Sequence, residues 1–129
     1  MNLSNQKKPI KSKKPDHRNI EKDTKNNIYY RKVIYTLPEF QLVLMSLNPG
    51  EDIPLEIHKQ TTQFIRIESG YGQAIINKKK YILKDGVSII VPPNTYHYIQ
   101  NTSKTKPMKL YSIYTPAEHP KHKLNKRQR

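Results

Sequence analysis

From residue 28 onward, the chain is a succession of short apolar segments separated by clusters of Gly, Pro, Asn and Lys. The segments are rich in β-branched and aromatic residues and read IYYRKVIY, EFQLVLMSL, FIRIE, QAII, YIL, VSIIV, YHYIQ and LYSIY. A helix needs about ten residues with a 3.6-residue apolar period, and no segment shows that pattern. Short strands with turn signals about every eight to twelve residues are typical of antiparallel sandwiches and barrels. The pattern therefore predicts an all-β fold.

Turn-forming residues between these segments support the same fold class. Asn-Pro-Gly at residues 48–50 and Asp-Gly at residues 85–86 predict turns, and residues 77–80 predict a hairpin loop. The chain has four glycines, Gly50, Gly70, Gly72 and Gly86. Each lies at the edge of an apolar run, where we expect a positive φ or a sharp bend.

The two ends of the chain lack the strand pattern. Residues 1–27 contain isolated apolar residues and two prolines, and residues 117–129 are polar and basic. Such segments bury too little apolar surface to offset the entropy of ordering them. We therefore expect a single domain over residues 28–116, with disordered basic tails on both sides. The tail histidines, His17, His119 and His122, are expected to be exposed to solvent.

The formal net charge of +14 lies largely in these ends. Residues 1–27 carry eight Lys/Arg against three Asp/Glu, and residues 115–129 carry five against one, so the ends hold +5 and +4. Aromatic residues do not alternate with the basic ones, as a stacking surface for nucleic acid would require. Binding of nucleic acid or another polyanion by the tails is therefore an alternative rather than the main prediction.

Composition restricts the chemistry further. There is no cysteine, which excludes disulfides, thiolate nucleophiles and zinc–thiolate sites and leaves only N and O donors for a metal. No apolar run approaches the roughly 20 residues that span a bilayer, and the first residues lack the apolar core of a signal peptide. We expect a soluble, cytoplasmic protein without membrane partners.

Candidate metal ligands occur in residues 50–70, a stretch that begins and ends with glycine. Glu56 and His58 are two residues apart, and in an extended strand residues i and i+2 point to the same face. A carboxylate and an imidazole on one face are suitable donors for a divalent metal. His97 is the second histidine within the predicted domain and follows about forty residues later.

This stretch resembles the first sequence motif of the cupin family. That motif is a glycine, five residues, a His-x-His pair, three or four residues, a glutamate, six residues and a closing glycine. The matching positions are Gly50, Glu56, His58, Gln63 and Gly70. Glu56 stands in place of the first histidine, and Gln63 stands in place of the glutamate.

A second stretch resembles the second cupin motif, which is a glycine, five residues, Pro-x-Gly, two residues, a histidine, three residues and an asparagine. The matching positions are Gly86, Pro92, Asn94, His97 and Asn101, with Asn94 in place of the glycine. The resemblance covers residues 29–114 and implies a single-domain jelly-roll β-barrel.

The resemblance also implies a cofactor and the residues that hold it. The four metal-binding positions of the family map to Glu56, His58, Gln63 and His97. The implied cofactor is a divalent metal ion, and zinc, manganese, iron and nickel all suit this donor set. The alternative is that these side chains are hydrogen-bonded fillers of a barrel interior that has lost its metal.

Three functions are compatible with this resemblance. The segments LEIH, QFIRIE and LYSIYTP look similar to the mannose-6-phosphate isomerase-like cupins, which implies an isomerase, epimerase or lyase acting on a sugar, sugar phosphate or other small oxygenated metabolite. Arg66 or residues 78–80 would bind phosphate, and no catalytic base is identifiable. The alternatives are a non-catalytic small-molecule-binding or structural cupin and an iron-dependent dioxygenase. We expect a homodimer, because the tyrosine-rich strands at residues 29–35 and 110–114 suit an interface.

Overall fold

A computed structural model describes residues 13–127 of the chain and shows ten strands and one short helix over that range. The elements are α1 Ile20–Asn26, β1 Arg31–Leu37, β2 Phe40–Leu47, β3 Asp52–Glu56, β4 Thr62–Ser69, β5 Tyr71–Ile76, β6 Lys79–Lys84, β7 Ser88–Val91, β8 His97–Asn101, β9 Met108–Thr115 and β10 Leu124–Asn125. The prediction of an all-β fold is confirmed. No helix in residues 13–127 is long and apolar enough to cross a membrane.

The strands form two antiparallel sheets. The larger has six strands in the order β10-β1-β2-β9-β4-β7, and the smaller has four in the order β3-β8-β5-β6. The fold is jelly-roll-like, but the prediction of a closed barrel is wrong, because the two sheets are separate. Closure would require the edge strands of one sheet to pair with those of the other. Within the described range, each edge strand has a partner on one side only.

The core lies between the two sheets and is built by the two-residue alternation of the strands. In β4, Gln63, Ile65 and Ile67 are buried, while Phe64 and Arg66 between them are partly exposed on the other face. The most deeply buried apolar side chains, at most 2% exposed, are Val43, Met45, Leu47, Ile53, Ile65, Ile67, Ala74, Leu83, Val91, Ile99, Met108, Leu110 and Tyr114. Gln63 therefore shares the interior with the apolar core.

Three of the four glycines have the conformation expected of turn residues. Gly50, Gly70 and Gly86 have φ angles of +81°, +114° and +84°. Gly72 differs, because it lies inside β5 and has no positive φ. A Cβ at that position would overlap the carbonyl oxygen of Gln100 in the neighbouring β8. This glycine is therefore required by a close approach of two strands rather than by a bend.

The prediction of disordered tails is not confirmed for the part of the ends that the structure describes. Helix α1 begins at an N-cap, Asn19, whose side chain accepts a hydrogen bond of 3.0 Å from the backbone N–H of Lys22. It packs against β9 and β4 and buries Thr24. At the other end of the chain, β10 pairs with β1. Residues 1–12 and 128–129 lie outside the described residues, so the prediction of disorder for these residues stays a prediction.

Candidate metal centre

The candidate metal centre lies at one end of the two-sheet sandwich. Glu56 is the last residue of β3, and His97 is the first residue of β8. These two residues are direct partners in the antiparallel pairing of β3 with β8, so their side chains are brought together by strand register. His58 lies just beyond β3, and its carbonyl oxygen accepts a hydrogen bond of 2.7 Å from the backbone N–H of Asn94. Two motifs about forty residues apart thus meet at one place.

One carboxylate oxygen is shared by both imidazoles. Oε1 of Glu56 lies 3.2 Å from Nε2 of His58 and 3.2 Å from Nε2 of His97. The two imidazole rings have centroids 5.2 Å apart. The candidate ligand atoms of these three residues all lie within 4.8 Å of one another. His97 is 1% exposed, whereas the Glu56 side chain is 30% exposed, so the cluster is buried on one side and accessible on the other.

The remaining ring nitrogens also face oxygen atoms. Nδ1 of His97 lies 3.0 Å from the carbonyl oxygen of Thr95, which can only accept, so this nitrogen carries the hydrogen. Nδ1 of His58 lies 3.4 Å from Oε1 of Glu118. A neutral imidazole has a single N–H, yet each ring here faces two acceptors. With Nδ1 of each ring turned towards a protein oxygen, both Nε2 atoms face Oε1 of Glu56. The donor set and its arrangement fit a divalent metal.

Electrostatics favours an ionised carboxylate at the centre. Burial on its own would raise the pKa of Glu56, but hydrogen bonds and charge from His58 and His97 outweigh burial and lower this pKa to about 2. The hydrogen bond with Glu56 raises the pKa of His58 above its usual value, although burial opposes this. Glu56 is thus a carboxylate at neutral pH, which is the form that binds a metal.

Gln63, the fourth predicted ligand, is fully buried in β4. Its Nε2 donates hydrogen bonds of 3.2 Å to Oγ of Ser112 and 3.1 Å to the hydroxyl of Tyr114. The Tyr114 ring in turn packs edge-on against His58, with centroids 5.8 Å apart. Oε1 of Gln63 has no hydrogen-bond partner among the described residues, an arrangement that typically costs about 1–3 kcal/mol. An unpaired oxygen of this kind is available to coordinate a metal. Metal coordination by Gln63 stays a prediction.

The structure adds two residues that the sequence analysis placed in a tail. Glu118 contacts His58, and His119 is half-buried with its ring edge-on to Tyr114 at a centroid distance of 5.0 Å. The prediction that His119 is exposed is wrong, because its Nε2 is fully buried and has no hydrogen-bond partner among the described residues. His17 and His122 are exposed, as predicted. The C-terminal segment, residues 116–119, therefore forms part of the site.

A buried glutamine on β2 fixes this C-terminal segment. Oε1 of Gln41 accepts hydrogen bonds from the backbone N–H of Glu118, at 3.1 Å, and of His119, at 2.8 Å. Its Nε2 donates to the carbonyl oxygen of His119, at 2.6 Å, and to Oγ1 of Thr36, at 3.0 Å. The Gln41 amide thus satisfies backbone groups of a segment that has no regular secondary structure. The residues after β9 are mostly polar and show no periodic apolar pattern. The sequence pattern therefore did not predict the contact between Gln41 and the C-terminal segment.

The environment of His119 predicts a pH dependence of stability. Burial, together with the charges of Arg31 and Lys123, lowers the pKa of His119 to about 4. An unfolded chain binds this proton near pH 6.5, so the metal-free protein should lose stability as the pH falls from about 6.5 to about 4. The unfolding free energy of the His119→Asn variant should therefore fall by about 1–2 kcal/mol less than that of the wild type over this pH range. This value allows for the partial exposure of the His119 side chain. Urea unfolding at a series of pH values measures it.

The control for this experiment is His122→Asn. His122 is exposed and has a φ of +61°, a conformation that asparagine tolerates well. This variant should keep the pH profile of the wild type. An equal change in the profiles of the two variants would contradict the assignment to His119.

The chain is similar in sequence to several known proteins. The chain is similar to protein L612 of Acanthamoeba polyphaga mimivirus, with 50% identity over 105 residues that cover 79% of this chain and 66% of that protein. It is also 30% identical over 95 residues to quercetin 2,3-dioxygenase of Bacillus subtilis (strain 168), covering 63% of this chain and 28% of that enzyme. The chain therefore spans about two thirds or less of the length of these curated relatives.

Solved structures show the same fold. The crystal structure of BH2720 from Bacillus halodurans has a TM-score of 0.85 to this chain at 37% identity, covering 88% of this chain and 90% of that one. The sequence profile described as the cupin domain matches residues 43–114, which include every strand from β3 to β8 and all four predicted ligand positions. With more than half of the chain matched and the Glu56, His58 and His97 side chains gathered at one end of the sandwich, the chain belongs to the cupin domain family.

Proposed function

We propose that the chain is a divalent-metal-dependent cupin that acts on a small oxygenated molecule at Glu56, His58 and His97. The observation that carries the proposal is the position of Oε1 of Glu56, 3.2 Å from Nε2 of each histidine. Cupins commonly bind divalent metals, and here one carboxylate and two imidazoles converge at an accessible end of the sandwich. This donor set leaves coordination positions open for a substrate.

Each residue of the site has a distinct role in this proposal. Glu56, His58 and His97 would hold the metal, and Gln63 would offer its unpaired Oε1 from the interior. A bound divalent ion would supply Lewis-acid polarisation of a substrate oxygen or, if it is iron, activation of dioxygen. Burial raises the pKa of Tyr114 well above its usual range, so its hydroxyl stays protonated and is a hydrogen-bond donor beside the site.

Iron-dependent oxygenation is the reaction class that the donor set favours. Two histidines and one carboxylate with open positions are typical of non-haem iron oxygenases. The similarity to quercetin 2,3-dioxygenase supports the same class, although it extends over only 28% of that enzyme. Fold alone does not select the reaction, so this assignment depends on the ligands.

Isomerisation, epimerisation or lyase chemistry on a sugar phosphate is the second candidate, supported by one observation. Ile76 is the strand partner of His97, and the backbone N–H of Asn77 donates to the carbonyl oxygen of Tyr96 at 3.1 Å. The three lysines at residues 78–80 therefore begin at the same end of the small sheet as His97. Arg66 is less suitable, because it pairs with Glu68 on the opposite face of β4 from Gln63.

Metal analysis of protein purified without added metal tests the proposed function. We expect a near-stoichiometric divalent ion, and we expect its loss in His97→Ala. If the ion is iron, oxygen consumption with small phenolic and other oxygenated substrates should exceed that of the metal-free protein. Turnover of sugar phosphates without oxygen uptake would favour the second candidate. Absence of a metal, with small-molecule binding unaffected by His97→Ala, would overturn both and favour a non-catalytic binding role.

Three further expectations stay predictions. Grouping with the mannose-6-phosphate isomerase-like cupins and binding of polyanions by the basic ends depend on the sequence alone. The same holds for a homodimer, but the structure restricts how one could form. Strand β9 is paired on both sides, with β2 and β4, so residues 110–114 could contribute only a sheet face and not a sheet edge.

A further inference from the structure

We infer that Glu118 is a positioning residue of the metal centre, where it fixes the orientation and tautomer of His58. The inference rests on the proposed function, because it assigns Nε2 of His58 to a metal. It concerns a residue outside the part of the chain that the cupin domain profile matches. The carboxylate of Glu118 lies 3.4 Å from Nδ1 of His58, on the side of the ring away from Glu56.

The two imidazoles of the site are arranged alike, although the contact of His58 with Glu118, at 3.4 Å, is longer than that of His97 with Thr95, at 3.0 Å. In each ring, Nε2 faces Oε1 of Glu56 and Nδ1 faces an oxygen atom of the protein. His97 obtains this oxygen locally, from the carbonyl of Thr95, two residues earlier in the chain. His58 lies outside regular strand structure, and its partner is a side chain sixty residues later in the sequence. Glu118 thus supplies the oxygen atom that faces Nδ1 of His58, as Thr95 supplies the one that faces Nδ1 of His97.

The C-terminal segment holds Glu118 in place through backbone contacts on both sides of it. The backbone N–H of Ala117 donates to the carbonyl oxygen of Pro38 at 3.2 Å, and those of Glu118 and His119 donate to Gln41. Gln41 is fully buried, so it is a rigid support. With its backbone fixed, the Glu118 side chain has only its own torsions free, and it is 33% exposed while the His58 side chain is 9% exposed.

An oxygen acceptor on Nδ1 has a defined effect on a metal-binding histidine. It keeps the hydrogen on Nδ1, leaves the Nε2 lone pair free for the cation, and restricts rotation of the ring. A carboxylate also increases the basicity of the ring more than a neutral acceptor does. Loss of such a partner typically weakens metal binding by about 10–100-fold.

The test compares Glu118→Ala, Glu118→Gln and the control Glu21→Gln in the full chain. Glu21 lies on the exposed side of α1, so the control removes the same charge away from the site. Affinity for Zn²⁺ and Fe²⁺ is measured by competition with a chromophoric chelator. We expect a loss of about 10–100-fold for Glu118→Ala. Glu118→Gln should lose less, because its amide oxygen still accepts from Nδ1, and the control should match the wild type.

A second measurement does not depend on a metal. Nitrogen-15 NMR of the metal-free protein, at a pH where the His58 ring is neutral, reports the fraction of the ring with hydrogen on Nδ1. This fraction should fall in Glu118→Ala and stay close to the wild-type value in Glu21→Gln. If the wild type binds no metal, the proposed function fails, and a change in this fraction would still support the positioning role. Unchanged affinity together with an unchanged His58 tautomer in both Glu118 variants would overturn the inference.

Discussion

Replacing Glu56 with glutamine should lower the affinity of the protein for a divalent metal by more than about 100-fold. Loss of an outer partner of a metal ligand already costs about 10–100-fold, and Glu56 would itself be a ligand and the only charged one. Glutamine keeps the size of the side chain but removes the negative charge that neutralises the metal. Chelator competition with Zn²⁺ and Fe²⁺, as for the Glu118 variants, measures the change.

The same substitution should also change the metal-free protein. The Glu56 carboxylate stabilises the folded protein, because its pKa is about 2 in the folded state and near 4.5 in the unfolded chain. This contribution is fully present above pH 4.5, and therefore at pH 7, and is lost as the pH falls towards about 2. Glu56→Gln should therefore cost about 1–3 kcal/mol of unfolding free energy at pH 7, as measured by urea denaturation. Glu21→Gln is again the control. Wild-type metal affinity in a folded Glu56→Gln protein would show that Glu56 is not a ligand.

The fold was predictable because most of its information is local. Strands of four to eight residues with alternating burial produce a two-residue period, and Gly50, Gly70 and Gly86 mark turns through their positive φ. Helix α1 was not predictable in this way, because its seven residues span about two turns and bury little more than Thr24. Strand β10 has two residues and depends on its pairing with β1.

The site was predictable to the extent that strand register determines it. Glu56 and His97 are partners across β3 and β8, and motif spacing that preserves this register brings both side chains to one end of the sandwich. Glu118 and His119 reach the same end by a different route. Their backbone N–H groups donate hydrogen bonds to Oε1 of Gln41, which is 77 and 78 residues away in sequence, and a long-range contact of this kind leaves no periodic signal. The sequence pattern therefore predicted the cluster of Glu56, His58 and His97 but not the C-terminal residues beside it.

Gln41→Met should release the C-terminal segment and weaken the metal centre without removing any ligand. Methionine is close to glutamine in size but leaves the backbone N–H groups of Glu118 and His119 without their acceptor. Each of these two unsatisfied N–H groups costs about 1–3 kcal/mol, so we expect a total loss of about 2–6 kcal/mol in unfolding free energy, or detachment of the segment. Detachment frees the backbone at Lys123, whose carbonyl oxygen otherwise accepts a hydrogen bond from the backbone N–H of Val33. Limited trypsin proteolysis followed by mass spectrometry detects the resulting cleavage at Lys123.

Metal affinity then separates a local effect from a general loss of stability. If Gln41 acts by holding Glu118, then Gln41→Met should lower the affinity about as much as Glu118→Ala, and the double variant should be no weaker than either one. Gln73→Met is the matched control, because the amide of Gln73 bonds Gln100 within the small sheet and does not contact the C-terminal segment. Additive losses in the double variant would show that Gln41 and Glu118 act independently. Trypsin resistance and unchanged affinity in Gln41→Met would contradict the role of Gln41 in holding the segment.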